Sequence, residues 1–156
     1  MSITFRDNLG EFSSVVCLKS IITGMEDALG DKATAIALIA AGRARGKGLI
    51  EQLGLAGTSL SIEEIGQKIA VALGKDGTKL LILDKLEQDG DVYRAYTKET
   101  ICSAGEPVGS DRQCTFTLGA VQGALEAITG KRLRGKHIES VLRGGTHDVF
   151  EYSVLG

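Results

Sequence analysis

Asp89-Gly90-Asp91-Val92-Tyr93-Arg94-Ala95-Tyr96-Thr97-Lys98-Glu99 is where the chain changes its period. Val92, Arg94, Tyr96 and Lys98 fall on one face, and Tyr93, Ala95, Thr97 and Glu99 on the other. That two-residue repeat belongs to a strand. Asp89-Gly90 separates it from the short apolar run over residues 80–86. Asp-Gly suits a tight antiparallel turn, whose central residues need positive φ, so a β-hairpin is expected here.

Upstream of this point the spacing is helical. Phe12, Val15, Val16, Ile22, Met25 and Leu29 predict a first helix over residues 11–29, stopped by Gly30. Asp31 is the expected N-cap of a second, which carries Ala35, Ile36, Leu38, Ile39, Leu49, Ile50 and Leu53 and stops at Gly54. Ser61-Ile62-Glu63-Glu64 is a capping box, opening a third helix through Ile65, Ile69, Ala72 and Leu73. Downstream, residues 103–112 hold the only proline and read as a loop. Thr115 or Thr117 caps a fourth helix with Leu118, Val121, Leu125 and Ile128, closed by Gly130. Residues 137–142 and 149–154 form a second hairpin around Gly144-Gly145-Thr146-His147. Three helices, a hairpin, a helix and a hairpin predict an α+β fold, with helices packed on an antiparallel sheet.

The 156 residues are 43% hydrophobic and 24% charged, which fits one domain over 1–156 and argues against disorder. A net charge of −2 supplies no general field for nucleic acid or an anionic membrane. No apolar run is long enough to cross a bilayer, and the first residues lack a signal-peptide pattern, so a cytoplasmic location is expected. Cys17, Cys102 and Cys114 are odd in number and form no CxxC, which suits a reducing compartment.

Each group that could carry chemistry has a plainer reading. Gly42-Arg43-Ala44-Arg45-Gly46-Lys47-Gly48 matches no phosphate-binding loop and lies inside a helix. Three glycines there, each costing about 1 kcal/mol against alanine, point to a close helix–helix approach. Lys131, Arg132, Arg134, Lys136 and Arg143 form a basic patch offset by Glu139. Without interleaved aromatics it reads as a solvated face, and no nucleic-acid partner is expected. Cys102, Cys114, His137 and His147 are zinc-type donors, but their gaps of twelve, twenty-three and ten residues match no compact zinc module. Buried cysteines are the favoured reading, and no metal is expected. Cys102 lacks an oriented base, and Ser140 and Ser153 lack a GxSxG elbow, so an enzyme is not expected.

Cys114-Thr-Phe-Thr-Leu-Gly119-Ala-Val-Gln-Gly123, Gly130-Lys-Arg and Glu139-Ser-Val-Leu-Arg-Gly-Gly-Thr-His-Asp-Val-Phe150 together resemble the 4-vinyl-reductase-type small-molecule-binding domain family. Residues 42–51, with Gly46, Leu49, Ile50 and Glu51, resemble a helix that this family shares with the TRAPP trafficking subunits. The resemblance covers about residues 40–154, and the nearest kin by pattern are cyanobacterial proteins labelled hydrocarbon-binding. It implies a homodimer through an N-terminal helical region over 1–39 and a binding core over 40–156. It also implies an apolar cavity under the sheet for a lipid, hydrocarbon or tetrapyrrole-like ligand, with no cofactor. A regulatory or photosynthesis-related role follows from it, and an accessory vinyl-reductase role stays open. Some members hold metal through cysteines in the final hairpin, at positions that Leu142 and Asp148 occupy here.

On this basis Phe116, Leu118, Val121 and Leu125 are expected to line the cavity, with Cys102 beside them. Tyr93 or Tyr96 would add an apolar wall with a polar tip. Arg143 or His147 would orient a polar head group. The alternative is a protein–protein scaffold or photosystem assembly factor with a filled core and no ligand.

Overall fold

The first helix starts later than its apolar spacing suggests, because Ser14 accepts a hydrogen bond from the Val16 amide and caps it. In the computed structural model, which describes residues 5–156, α1 spans Val15–Leu29 and ends at Gly30, whose φ is +85°. Gly30 is also the N-cap of α2 (Asp31–Gln52), so Asp31 sits in its first turn and meets the positive end of the helix dipole instead of capping it. The capping box of Ser61 and Glu64 is formed at the start of α3 (Ile62–Leu73). Strands β1 (Ile82–Asp89) and β2 (Val92–Lys98) make the first hairpin. α4 spans Phe116–Thr129, followed by β3 (Leu133–Glu139) and β4 (Asp148–Val154).

The second hairpin departs from its expected limits. β3 begins at Leu133, so Arg134 and Lys136 lie within the strand. Val141–Arg143 is a 3-10 turn, because the Ser140 side chain accepts from the Leu142 amide and draws the chain out of the ladder. The sheet order is β1-β2-β4-β3, antiparallel throughout. β3 is therefore an edge, and its exposed Arg134 and Lys136 oppose pairing with another strand.

The alternation of β2 works as expected. Tyr93, Ala95 and Thr97 are buried, while Val92, Arg94 and Tyr96 form the half-buried opposite side. α4 lies on the covered face and is buried without interruption from Thr117 to Leu125. The Tyr152 hydroxyl donates to the Leu118 carbonyl at 2.7 Å, and Gln122 donates to the Leu133 carbonyl at 2.8 Å. These bonds satisfy polar atoms that burial would otherwise leave costly.

α2 covers the other side of α4. A Cβ on Gly42 would stand 2.1 Å from the Phe116 carbonyl oxygen, and one on Gly46 2.0 Å from that of Ala120. Gly119 and Gly123 meet the backbone of Ile39 and Arg43 just as closely. The expected close approach is present for Gly42 and Gly46 but not for Gly48, where a Cβ would meet nothing within 4 Å. α1 is different, since none of its residues is buried and Val15, Val16, Leu18, Ile21 and Leu29 are exposed. None of the helices among the described residues is long and apolar enough to cross a membrane.

Candidate functional site

α1 lies over the segment that joins β2 to α4 and over the first turn of α4. Beneath it, Ile22, Leu38, Ile101, Cys102 and Phe116, with Glu26, Asp31, Arg112 and Gln113 at its polar side, line a mostly closed cavity of about 20 Å³. Thr34 also lines this cavity; it is 1% exposed, and its Oγ1 has no hydrogen-bond partner. On the other side of Ile101 runs an open groove of about 640 Å³, lined by Phe12, Val15, Leu18, Leu80 and Ile101 and by the charged Glu11, Arg45, Lys79 and Glu99. Thr78 lines that groove, and its buried hydroxyl is likewise unpartnered. Ile101 is common to both spaces, and α1 walls both. A buried hydroxyl without a partner costs about 1–3 kcal/mol, which a bound polar group would offset.

Charged side chains hold α1 over this seam. Lys19 Nζ donates to the Cys102 carbonyl at 2.7 Å and the Ile101 carbonyl at 3.2 Å. It also pairs with Glu106 at 2.9 Å. Arg112 pairs with Glu26 of α1 and with Glu106. The Lys19 hydrogen bond is the main reason that the Glu106 carboxyl lies below the ordinary carboxylate range. Arg143 secures the same loop from the sheet side, donating to the Ser110 and Arg112 carbonyls at 2.9 and 3.0 Å.

Behind the seam is a buried polar cluster. Cys102 and Cys114 are joined by a disulfide, which corrects the expectation of reduced cysteines for this pair; only Cys17 is free, and it is exposed. Asp148 is fully buried. Its carboxylate accepts from Ser103 at 2.6 Å, Thr100 at 3.1 Å and the Val141 amide at 3.3 Å. His137 Nδ1 accepts from the Cys114 amide at 3.2 Å, so Nε2 carries the proton and faces Asp148 at 3.2 Å. Burial raises the Asp148 carboxyl, but the bonds from His137, Ser103 and Thr100 together outweigh it and hold the group below its ordinary value.

Donor atoms of Cys114, His137 and Asp148 lie within 4.8 Å of one another. They do not fit a resident metal of the hairpin type. The Cys114 sulfur is consumed by the disulfide, the Asp148 oxygens are occupied by hydrogen bonds, and Leu142 is apolar and buried. His147 belongs to another neighbourhood, with Nε2 2.8 Å from Asp84.

Of the residues singled out in the sequence, the structure brings Cys102 and Phe116 together at the closed cavity. Leu118, Val121 and Leu125 pack into the core between α4 and the sheet, together with Tyr93, Phe150 and Tyr152. The space under the sheet is filled by these side chains at 0–4% exposure. Tyr96 points to the other face and donates to Glu87. Thr34, Ile101, Lys19, Glu106 and Asp148 escaped the sequence reading. Thr34 left one signal, because it lies on the four-residue line that also holds Gly42, Gly46 and Ile50, the buried stripe of α2.

No family model matches the chain, and no curated protein is similar to it in sequence. Solved structures do share its fold. One is the phenol-responsive sensory domain of the transcription activator PoxR with phenol, at a TM-score of 0.65 and 15% identity, covering 93% of this chain and 77% of that one. Another is subunit 3 of the trafficking protein particle complex from Naegleria fowleri, covalently bound to palmitic acid. It aligns at a TM-score of 0.57 and 16% identity, covering 91% of this chain and 93% of that one. The chain thus has the α+β fold of these proteins, with four helices and a four-stranded antiparallel sheet.

Proposed function

We propose that this chain is a non-catalytic binding module for a small, mainly apolar molecule that carries one hydrogen-bonding group. The ligand lies in the seam under α1, between Phe116, Ile101 and Cys102. The observation that carries this reading is the pair of buried, unpartnered hydroxyls, Thr34 and Thr78, in two spaces of mixed apolar and polar lining that meet at Ile101. The phenol of one structural neighbour and the palmitic acid of the other support the ligand class. The closed cavity is far below the roughly 300 Å³ of an ordinary ligand site. Binding therefore requires α1 to lift, and α1 buries none of its residues.

The exposed apolar residues of α1, together with Ile36 of α2, form the surface for a homodimer. Lifting or re-seating α1 on ligand binding then changes the dimer surface, which gives the module a regulatory output. A photosynthesis-related setting rests on the sequence resemblance.

Native mass spectrometry of protein purified without stripping, and thermal melting with phenol or palmitic acid added, test the reading. A ligand at one hundred times its dissociation constant stabilises by about 2.7 kcal/mol, so a rise in melting temperature is expected. Failure of both measurements to reveal a bound apolar molecule would overturn it. A scaffold role is the second reading, favoured by the exposed Lys131, Arg132, Arg134 and Lys136 beside a filled core. It requires a protein partner that is lost on Arg132→Glu with Arg134→Glu.

A further inference from the structure

The α1 tethers share one feature. Among the described residues, every hydrogen bond or ion pair from an α1 side chain to another part of the chain ends at Ile101, Cys102, Glu106 or Arg112. From Cys102 onward these residues lie within the loop that the Cys102–Cys114 disulfide closes, and Ile101 directly precedes it. No helix or strand stiffens the chain between Lys98 and Phe116. The disulfide fixes this loop against the start of α4, and the loop fixes α1. Cys102 also lines the closed cavity.

We propose that the Cys102–Cys114 disulfide is a redox latch, and that its reduction by a dithiol releases α1 and opens the seam beneath it. The inference rests on the seam's being the ligand site. With its two cysteines unlinked, the loop keeps its hydrogen bonds to Asp148 and Arg143 but loses its covalent link to the start of α4, and the anchor points of α1 loosen.

The chemistry is thiol–disulfide exchange. One thiolate of the dithiol attacks Cys102 Sγ, the sulfur that comes within reach when α1 lifts. The Cys102–Cys114 bond breaks and Cys114 leaves as a thiolate. The second thiol of the reductant then attacks the mixed disulfide and frees Cys102. Two electrons pass to the protein sulfurs, the two thiol protons end on Cys102 and Cys114, and the reductant leaves as its own disulfide. Both sulfurs are buried, so the rate of reduction follows the opening of α1, and a ligand held under α1 slows it.

Hydrogen exchange on the full chain carrying Cys17→Ser, oxidised and then treated with dithiothreitol, tests the latch. The amides of α1 should exchange at least tenfold faster after reduction, while those of α4 and the sheet keep their rates. Cys102→Ser with Cys114→Ser should match the reduced protein. Should that pair fail to fold, Lys19→Met with Glu26→Gln in the oxidised protein removes the charged tethers alone and should also speed α1 at least tenfold. Equal α1 exchange in the oxidised and reduced forms overturns the proposal. So does a rise spread over α4 and the sheet, which marks the disulfide as a staple of the whole fold. An intact exchange difference with no phenol or palmitic acid bound to either form removes the ligand reading and keeps the latch.

Discussion

α2 meets α4 backbone to backbone, whereas α1 rests on the chain through a few half-buried side chains such as Ile22 and through the ends of charged ones. At Gly46 and Gly123 the neighbouring carbonyl oxygen comes to 2.0 Å from where a Cβ would stand. At α1 the polar contacts are Lys19 on two loop carbonyls and on Glu106, and Glu26 on Arg112. Close packing resists any displacement, because dispersion fails steeply with distance and the core has no room to adjust. Ion pairs near the surface contribute about 0–1 kcal/mol each and can be exchanged for water. One contact is suited to holding the fold, and the other to moving.

The largest expected effect lies at the tight contact. Gly46→Ala must separate α2 from α4 and should lower unfolding stability by about 3 kcal/mol, read as a lower urea midpoint. An unchanged midpoint would mean that the helices are not in backbone contact. Next comes the cluster that anchors the loop between the two regions. Asp148→Asn should cost about 2 kcal/mol at neutral pH, because it weakens charge-assisted bonds to Ser103, Thr100 and His137.

The pH dependence of that cluster has a definite sign. The folded carboxyl of Asp148 lies below its ordinary value, so its stabilisation is present above the unfolded value near 3.9 and is lost as pH falls through the folded one. Melting temperature should drop below about pH 4 in the wild type and depend less on pH there in the variant.

Smaller effects are expected at α1. Val16→Ser with Ile21→Ser changes two exposed residues and should leave the protomer within about 0.5 kcal/mol of wild type. Sedimentation should show the proposed dimer weakened at least tenfold; an unchanged association, or none in the wild type, would overturn α1 as a dimer surface. The smallest effect sharpens the contrast within α2 itself. Gly48 faces open space two residues from Gly46, so Gly48→Ala should raise stability by up to about 1 kcal/mol.

The elements were legible because each is written locally. The Ser61–Glu64 capping box, the Asp89-Gly90 turn and the stops at Gly30 and Gly130 need only neighbours in sequence. The α2 glycines were legible as a packing face but not residue by residue, because Gly46 and Gly48 differ only in the direction they point. The candidate site was legible at Cys102 and Phe116, and hidden at Thr34, Ile101 and Asp148. Thr34 is polar in a helix of alanines, and nothing in its own neighbourhood says that its hydroxyl ends in a cavity without a partner.

By itself the sequence determined the order of helices and strands, the alternation of β2, and the small-residue faces of α2 and α4. Period, caps and turn chemistry are properties of consecutive residues. Only the tertiary structure decided that Leu118, Val121 and Leu125 close a core instead of lining a cavity. It also decided that Cys102 and Cys114 meet, and that the polar tethers of α1 all end on one segment. Those outcomes depend on which distant surfaces come into contact and how much volume remains between them.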